Sequence, residues 1–398
     1  MFLFCLISIS LTIGLKNVMK VQQKKYVKGK GWEIVKPDAS APDAYQLVLV
    51  FGSRFLLSEA GIYEEIRKQY PRADILMNST SGEIIDLQVN DETIALTAVC
   101  FEDTRIRAAV IDIDKNESSF KAGYNLASEL ETDGLRSLLV ISDGHNVNGS
   151  DLVAGLREFL PDNVIITGGL AGDGARFERT LVGLNATPAE GKAAAIGFYG
   201  EALQIGYGSV GGWDTFGIER LITASDGNVL YELDGKPALD VYKLYLGDYA
   251  NELPGSALLF PLNIRMPDSE HSVVRTILAV NEEDRSMMFA GNMPKGAYAQ
   301  MMKANFDRLI DGASQAAAKS IIGQEQAPEL ALLISCVGRK LVLDQRIEEE
   351  VEVVRSVYGN DTAITGFYSY GEISPLFDFM QCELHNQTMT ITTYRESN

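Results

Sequence analysis

One pattern occurs three times along this chain, and it restricts the folds open to it. The segments are 45–84 ("YQLVLVFGSRFLLSEAGIYEEIRKQYPRADILMNSTSGEI"), 135–174 ("LRSLLVISDGHNVNGSDLVAGLREFLPDNVIITGGLAGDG") and 330–373 ("LALLISCVGRKLVLDQRIEEEVEVVRSVYGNDTAITGFYSYGEI"). Each reads as an apolar strand, a polar turn, an amphipathic helix, a second apolar strand and then glycine followed by an acid: Glu83, Asp173 and Glu372. Twenty-nine residues separate Ser53 from Gly82 and Asp143 from Gly172, and the third copy is a few residues longer. Near-continuous apolar runs such as "LVLVF", "LLVIS" and "LALLIS" suit strands buried on both faces. In the third copy Ile347, Val351, Val354 and Tyr358 line one helix face, with Asp344 placed to cap its start and Gly359 its end. Ser58 and Ser150 or Asp151 are the expected caps of the other two helices. Connections this short require parallel, right-handed crossovers. The expectation is an α/β fold with two domains built on strand–helix–strand units in mixed sheets.

The intervening stretches are β-rich. "ETIALTAVCFE" and "TRIRAAVIDID" alternate as an antiparallel pair would. Asp226-Gly227-Asn228 joins two short strands, and Pro237 opens a helix. "SVVRTILAVNEEDRSMMFAGNM" reads as a hairpin. "AQMMKANFDRLIDGASQAAAKSIIG" reads as one long helix with Met302, Phe306, Leu309 and Ile310 inward. Composition changes between Pro254 and Pro267. The expected division is a basic and hydrophobic tail over 1–44, one domain over 45–254 and another over 255–398.

In open α/β sheets, ligands bind at the carboxyl edge of the strands. That edge should bring "GSR", "SDGHN" and "CVGR" opposite "NSTSGE", "GGLAGDG" and "GFYSYGE". Asp143 and His145 lie in one such loop, and Tyr368 and Tyr370 alternate so that two aromatic rings can enter a cleft. The rival for the tyrosines is core packing. "GGLAGDG" fits neither a P-loop nor GxGxxG, so its glycines suit a tight turn or an anionic ligand. Arg339, just past a buried strand, calls for a carboxylate: Glu372 or one on a ligand. Cys336 ends a strand with no histidine near it in sequence, which favours a buried structural thiol over a nucleophile. "IEEEVEVV" reads as the solvated face of a helix. The three histidines show no metal-ligand spacing, so no metal and no cofactor is expected.

The net charge of −19 bears on partners. Seven lysines against one glutamate make the first 36 residues basic, so the remainder is more acidic still. An acidic body repels phosphate backbones, which argues against nucleic-acid binding. Four scattered cysteines without CxxC spacing suit free thiols in a reducing compartment, and a cytoplasmic location is expected. "MFLFCLISISLTIGL" is short for a membrane span and lacks a basic n-region. It leaves open a signal or anchor, or a true start at Met19. No stable membrane insertion is expected, and residues 1–44 should be peripheral.

In these segments the chain resembles the FIST family of sensory signal-transduction proteins. "ISCVGRKLVL", "IEEEVEVV", "ITGFYSYGEISP" and "HNQTMTIT" carry the resemblance near the carboxyl end. "ILMNSTSGEI", "ITGGLAGDG" and "YELDGKPALDVYKLYLG" carry it earlier. It spans about 45–394. It implies a FIST-N part followed by a FIST-C part that senses small ligands, for which amino acids have been suggested. It implies binding positions at Asn78, Gly82, Gly169, Asp173, Arg339, Tyr368, Glu372 and Asn386. Asp143, His145 and Tyr370 join these from their place at the strand edges. The expected role is a stand-alone, non-catalytic sensor of a small molecule that works through a separate signalling output protein. Two alternatives stay open: a protein-interaction scaffold whose acidic surface recruits a basic partner, or an enzyme using Cys336 or Asp143 with help from His145.

Overall fold

The computed structural model describes residues 19–114, 117–269, 271–375 and 382–396. The hydrophobic run at 1–15 lies outside the described residues.

Three repeats build the body. The first contains β1 (Lys20–Val27), β2 (Gly31–Lys36), β3 (Leu47–Gly52), α1 (Arg54–Leu57), α2 (Ile62–Gln69), β4 (Asp74–Ser79), β5 (Glu83–Ile85), β6 (Gln88–Asn90) and β7 (Thr93–Cys100). The second contains β8 (Arg105–Asp112), α3 (Ser119–Ser128), β9 (Leu135–Ser142), α4 (Gly149–Phe159), β10 (Ile165–Leu170), β11 (Val182–Leu184) and β12 (Lys192–Tyr199). The third opens with β13 (Leu203–Val210). An inserted layer follows: β14 (Asp214–Asp226), β15 (Val229–Leu233), β16 (Lys236–Pro237), α5 (Ala238–Leu246), β17 (Leu262–Arg265), β18 (Ser272–Arg275), β19 (Ile277–Asn281), β20 (Ser286–Phe289) and β21 (Tyr298–Lys303). The repeat then resumes with α6 (Phe306–Ser320), β22 (Leu330–Cys336), α7 (Val337–Leu343), α8 (Ile347–Tyr358), β23 (Ala363–Ser369), β24 (Gly371–Pro375), β25 (Cys382–His385) and β26 (Met389–Glu396).

Each repeat supplies one parallel pair, β3/β4, β9/β10 or β22/β23, as the crossover argument requires. A long return strand, β7, β12 or β26, lies antiparallel to the first of each pair. The short strand after each pair does not stay at home. β5 joins β23, β24 joins β10, and β11 joins β4, so the three sheets exchange strands in a ring. The sheet orders are β11-β4-β3-β7-β1-β2, β25-β24-β10-β9-β12-β8 and β13-β26-β22-β23-β5-β6. Their inner faces share one core, where Phe51 meets Phe367 (ring centroids 4.9 Å apart) and Phe198 meets Tyr394 (5.3 Å). Helices cover the outer faces: α2 the first sheet, α3 and α4 the second, α6 and α8 the third. Strands covered on both sides can be apolar throughout, which is the pattern the sequence shows. The inserted layer is an eight-stranded sheet with α5 on its own core. The whole is an α/β fold in two domains, with the strand–helix–strand units in mixed sheets. No helix among the described residues is long and apolar enough to cross a membrane.

Several local expectations change. The helix N-caps fall on Gly61, Asn148 and Arg346 rather than on Ser58, Ser150 or Asp151, and Asp344. β7 and β8 are not partners. Every residue of β7 is buried, and it runs between β3 and β1, whereas β8 edges the second sheet beside β12. The long helix over 299–323 begins only at Phe306. Ala299–Lys303 lie in β21, Asn305 accepts from Arg308 N to cap the helix, and Phe306 is exposed. Residues 20–36 are not peripheral. β1 pairs along its whole length with β7, buries Met19 and Val21 at its start, and sends Gln23 Nε2 to Ile364 O (2.8 Å) in another sheet.

A truncation series tests that last point. A chain starting at residue 19 should match the full chain in urea midpoint. A chain starting at residue 38 strips β7 of its neighbour and loses two buried side chains worth about 1.5–3 kcal/mol each, so it should be several kcal/mol weaker or insoluble. Equal stability of the two truncations would show that β1 is dispensable.

Candidate functional site

The carboxyl ends of the three parallel pairs converge, and a ring of backbone hydrogen bonds ties them. Ser81 N donates to Tyr368 O (2.8 Å), Tyr370 N to Leu170 O (3.2 Å) and Gly172 N to Ser79 O (3.0 Å). Each repeat thus gives one bond and takes one. The sequence motifs "NSTSGE", "GGLAGDG" and "GFYSYGE" do meet at one place. Gly82 sits there at φ +138°, with Lys340 so close that an added Cβ would lie 2.5 Å from Nζ. The backbone angle demands glycine, whereas the lysine tip could swing aside. Lys340 holds Ser81 O (2.9 Å) and pairs with Asp91. Gly169 pairs with Glu372 across the β10–β24 exchange.

Most of the expected binding carboxylates are committed internally. Glu372 accepts from Ser369 Oγ (2.6 Å), Thr388 Oγ1 (2.9 Å) and Thr388 N (3.2 Å). Glu83 has the same cradle: Thr80 Oγ1 (2.6 Å), Thr93 Oγ1 (2.7 Å) and Thr93 N (3.2 Å). Neither has a basic partner within ion-pair range among the described residues. Burial pushes Glu83 up to about 7 and Glu372 up to about 8, both from 4.5. The expected pairing of Arg339 with Glu372 is therefore wrong. Arg339, fully buried, bonds through Nε to Glu350 Oε1 (2.6 Å), and it also holds Gly211 O and Leu309 O. Glu350 comes from "IEEEVEVV": Glu348 and Glu349 on that helix face are not buried, but Glu350 is turned inward. Tyr368 also leaves the expected cleft, donating to Glu350 Oε2 (3.1 Å) in the third repeat's outer core.

Asp143 is a loop organiser. Its Oδ1 accepts from His145 N (2.7 Å), Asn146 N (3.0 Å) and Thr180 Oγ1 (3.0 Å), and its Oδ2 from Gly191 N (2.7 Å). Asp173, 1% exposed, pairs with Arg54 of the first repeat (2.9 Å) and so ties two repeats together. Asn78 donates to Ser79 O (3.0 Å) in the buried strand edge, and Asn386 is buried in the turn between β25 and β26.

Of the expected residues, His145 and Tyr370 reach an open space. It is a cleft between the strand-edge loops of the second and third repeats and the inserted layer. One chamber, about 310 Å³, is lined by Cys336, Val337, Leu258, Leu278, Thr276 and Tyr370 among others. The next, about 470 Å³, takes His145, Asn146, Asn228, Met288 and Tyr370. Phe177 and Tyr370 stand between them, stacked with centroids 4.6 Å apart and planes 17° from parallel. Phe177 has a left-handed backbone (φ 54°), held by its N–H on Tyr370 Oη (3.1 Å), and that hydroxyl donates to Gly174 O (3.2 Å). The first chamber is mostly apolar, and Thr276 Oγ1 is a buried hydroxyl without a partner among the described residues. Cys336 Sγ accepts from Gly338 N (3.4 Å), while burial and then Glu372 push the thiol up, against the thiolate form. Sequence reading missed Phe177, Thr276 and Leu278. The one available signal was an aromatic residue alone among charges in "ARFER".

The two glutamates should behave in opposite ways when neutralised. Glu350→Gln leaves Arg339 as a buried charge without its counterion and should cost about 3–5 kcal/mol. Glu372→Gln keeps the shape of a group already inclined to be neutral. The folded state holds that proton up to about pH 8, whereas the unfolded chain releases it near 4.5. The wild type should therefore lose stability as pH rises from about 5 to 8, by up to about 1.4 kcal/mol per unit for such a group. The Gln variant should show a flatter profile and match or exceed the wild type at pH 8. Urea denaturation across pH 5–9 measures both, and a Glu372→Gln variant as damaged as Glu350→Gln would refute the assignment.

Comparison with known proteins bears on this geometry. The FIST N domain model matches residues 46–236 and the FIST C domain model residues 238–375. A search of the curated proteins finds no match. Among solved structures, that of cyanuric acid hydrolase from A. caulinodans aligns over 90% of this chain and 92% of that one, at 6% identity and a TM-score of 0.38. A likeness that distant adds nothing to the reading of the site. With both family models matched in order over most of its length, the chain belongs to the FIST family of signal-transduction sensor domains.

Proposed function

We propose that the protein is a non-catalytic sensor whose small-molecule ligand occupies the two-chambered cleft between the repeat body and the inserted layer. The observation that carries this reading is the Phe177–Tyr370 pair standing between two chambers at the carboxyl edge of the second and third repeats. Chambers of this size, mostly apolar with a few polar groups, suit a small organic ligand. An aromatic or branched apolar group would lie against the stacked rings, and Thr276 Oγ1 would take one hydrogen bond from it or give one. The family's sensory character supports the same reading. Amino acids remain candidates, with an apolar side chain in the smaller chamber.

The reading leaves the enzymatic alternatives little to work with. Asp143 spends both oxygens on its own loop and Thr180, and Cys336 is held as a thiol. The ligand's contacts would draw together the repeat body and the inserted layer, and a separate output protein would read the change. The described cysteines, Cys100, Cys336 and Cys382, are free and buried, which fits a reducing, cytoplasmic setting.

A thermal-shift screen over amino acids, nucleotides and small aromatic and aliphatic acids tests the proposal. A true ligand at a hundredfold its dissociation constant should add about 2.7 kcal/mol to stability. Ala290 lines both chambers, so Ala290→Trp should abolish that gain while the variant stays folded. A ligand whose effect survives Ala290→Trp, or a flat screen, would overturn the cleft as the site.

A further inference from the structure

Two arginines are buried, and their charges are met differently. Arg339 has Glu350. Arg275, 3% exposed, has no ion pair among the described residues. Its Nε donates to Asn292 O (3.2 Å) and its Nη1 to Leu384 O (2.9 Å) and Val274 O (3.3 Å), and Nη2 makes no hydrogen bond among the described residues. A buried cation without a counterion costs several kcal/mol, because carbonyl dipoles replace water only in part. Burial works against its charged form, and the charge of Glu383, too far away to form an ion pair, offsets this only in part.

Arg275 lines a cavity of about 360 Å³, separate from the cleft, between α4 of the second repeat and the β17–β18 edge of the inserted layer. We infer that this cavity is a second binding site, for a small organic monocarboxylate whose anionic end pairs with Arg275. The geometry around the guanidinium is fixed. Asn292, whose carbonyl holds Nε, is itself clamped by Asp151 Oδ1 (2.8 Å) and Asn148 Nδ2 (2.7 Å). Gly291 leaves room for this, since a Cβ there would lie 2.8 Å from Arg275 Nε. Nη2 is left to donate, so a carboxylate would be held through that nitrogen and would supply the missing charge. Charge count selects against polyanions. Arg275 is the only permanent cation among the lining residues described, while Asp151 and Glu383 contribute two negative charges. Met266 and Val273 give an apolar wall for an aliphatic tail.

Calorimetric titration of the full chain with sodium valerate, norvaline and inorganic phosphate tests this. The first two ligands separate a plain carboxylate from one carrying an ammonium group, which Asp151 and Glu383 could receive. Binding of either one at one site per chain, weakened at least tenfold by Arg275→Gln, supports the inference. Arg275 also ties Leu384 to Asn292, so that variant can fail to fold. Ala154→Trp then decides, because position 154 is exposed on α4 at the cavity wall. It too should weaken binding at least tenfold, while Ala290→Trp in the cleft should leave it unchanged. Phosphate binding in place of the carboxylates overturns the inference, as does no binding at all. A carboxylate signal lost in Ala290→Trp and kept in Ala154→Trp would overturn it as well, while supporting the cleft.

Discussion

Three backbone hydrogen bonds, Ser81 to Tyr368, Tyr370 to Leu170 and Gly172 to Ser79, close the ring on which this molecule depends. Each falls where the chain has just left one sheet to add a strand to the next. No repeat can complete its sheet alone, because its edge strand comes from a neighbour. The exchange makes folding non-local: β5 at residues 83–85 completes a sheet whose centre lies at 330–369. It also concentrates polar backbone in the interior, where unpaired groups are costly. That constraint explains the small and hydroxyl-bearing residues at the junctions. Thr80 and Ser369 answer Glu83 and Glu372, and Ser79 Oγ accepts from Leu181 N (2.8 Å) and donates to Gly172 O (2.8 Å).

The electrostatics of the interior follow from the same geometry. Glu83 and Glu372 occupy corresponding places in the first and third repeats and receive the same three donors, two hydroxyls and one amide. Hydroxyls can satisfy a carboxyl group in either protonation state, so burial decides the balance toward the neutral form. The buried positive charges lie elsewhere, each fixed where the inserted layer or its flanks meet the body. Arg339 reaches Gly211 O and Leu309 O on either side of the insertion, and Arg275 reaches from the layer to Leu384 O. Arginine suits such joints because its rigid fork can hold several carbonyls at once.

What the sequence could disclose divides along physical lines. The strand–helix–strand units were legible because burial on both faces writes a continuous apolar run and a helix writes a 3.6-residue period. The convergence of the three motif loops followed from the parallel crossover. Partner choice was not legible. Alternation in "ETIALTAVCFE" and "TRIRAAVIDID" is equally compatible with neighbours in one sheet or strands of two, and only the exchange ring decides it. The helix period did say which of three adjacent glutamates turns inward, but the acidic run was read as solvated as a whole. Glu350 turns inward because it lies one turn before Val354 on the buried helix face, with Tyr368 and Arg339 waiting there. Arg339 was rightly read as needing a carboxylate, and the error lay in choosing the motif residue Glu372 over a residue in an acidic run. Tyr370 was placed in a cleft, but its partner Phe177 carries no periodic signal.

The cleft exists because the symmetry of the ring is broken twice. In the first repeat three residues separate β4 from the exchanged strand, and in the third only Tyr370 does. In the second, residues 171–181 intervene. Ala171 stands where the other repeats place Thr80 and Ser369, so no hydroxyl-bound glutamate fills that corner. The longer loop instead turns outward through Asp173, anchored on Arg54, and lays Phe177 over Tyr370. Stacking worth about 0.5–1.5 kcal/mol, with the bond from Phe177 N to Tyr370 Oη, offsets a left-handed backbone that a bulky residue adopts at a cost of about 1–3 kcal/mol. The second break is the layer inserted between β13 and α6, which roofs the same corner with Leu278 and Ala290. The first and third repeats close their corners with buried carboxyl groups, and the second leaves its corner open to an aromatic pair beneath a separate layer. A binding site at that position needs no new fold, only the longer loop and the insertion that cover one strand edge of three.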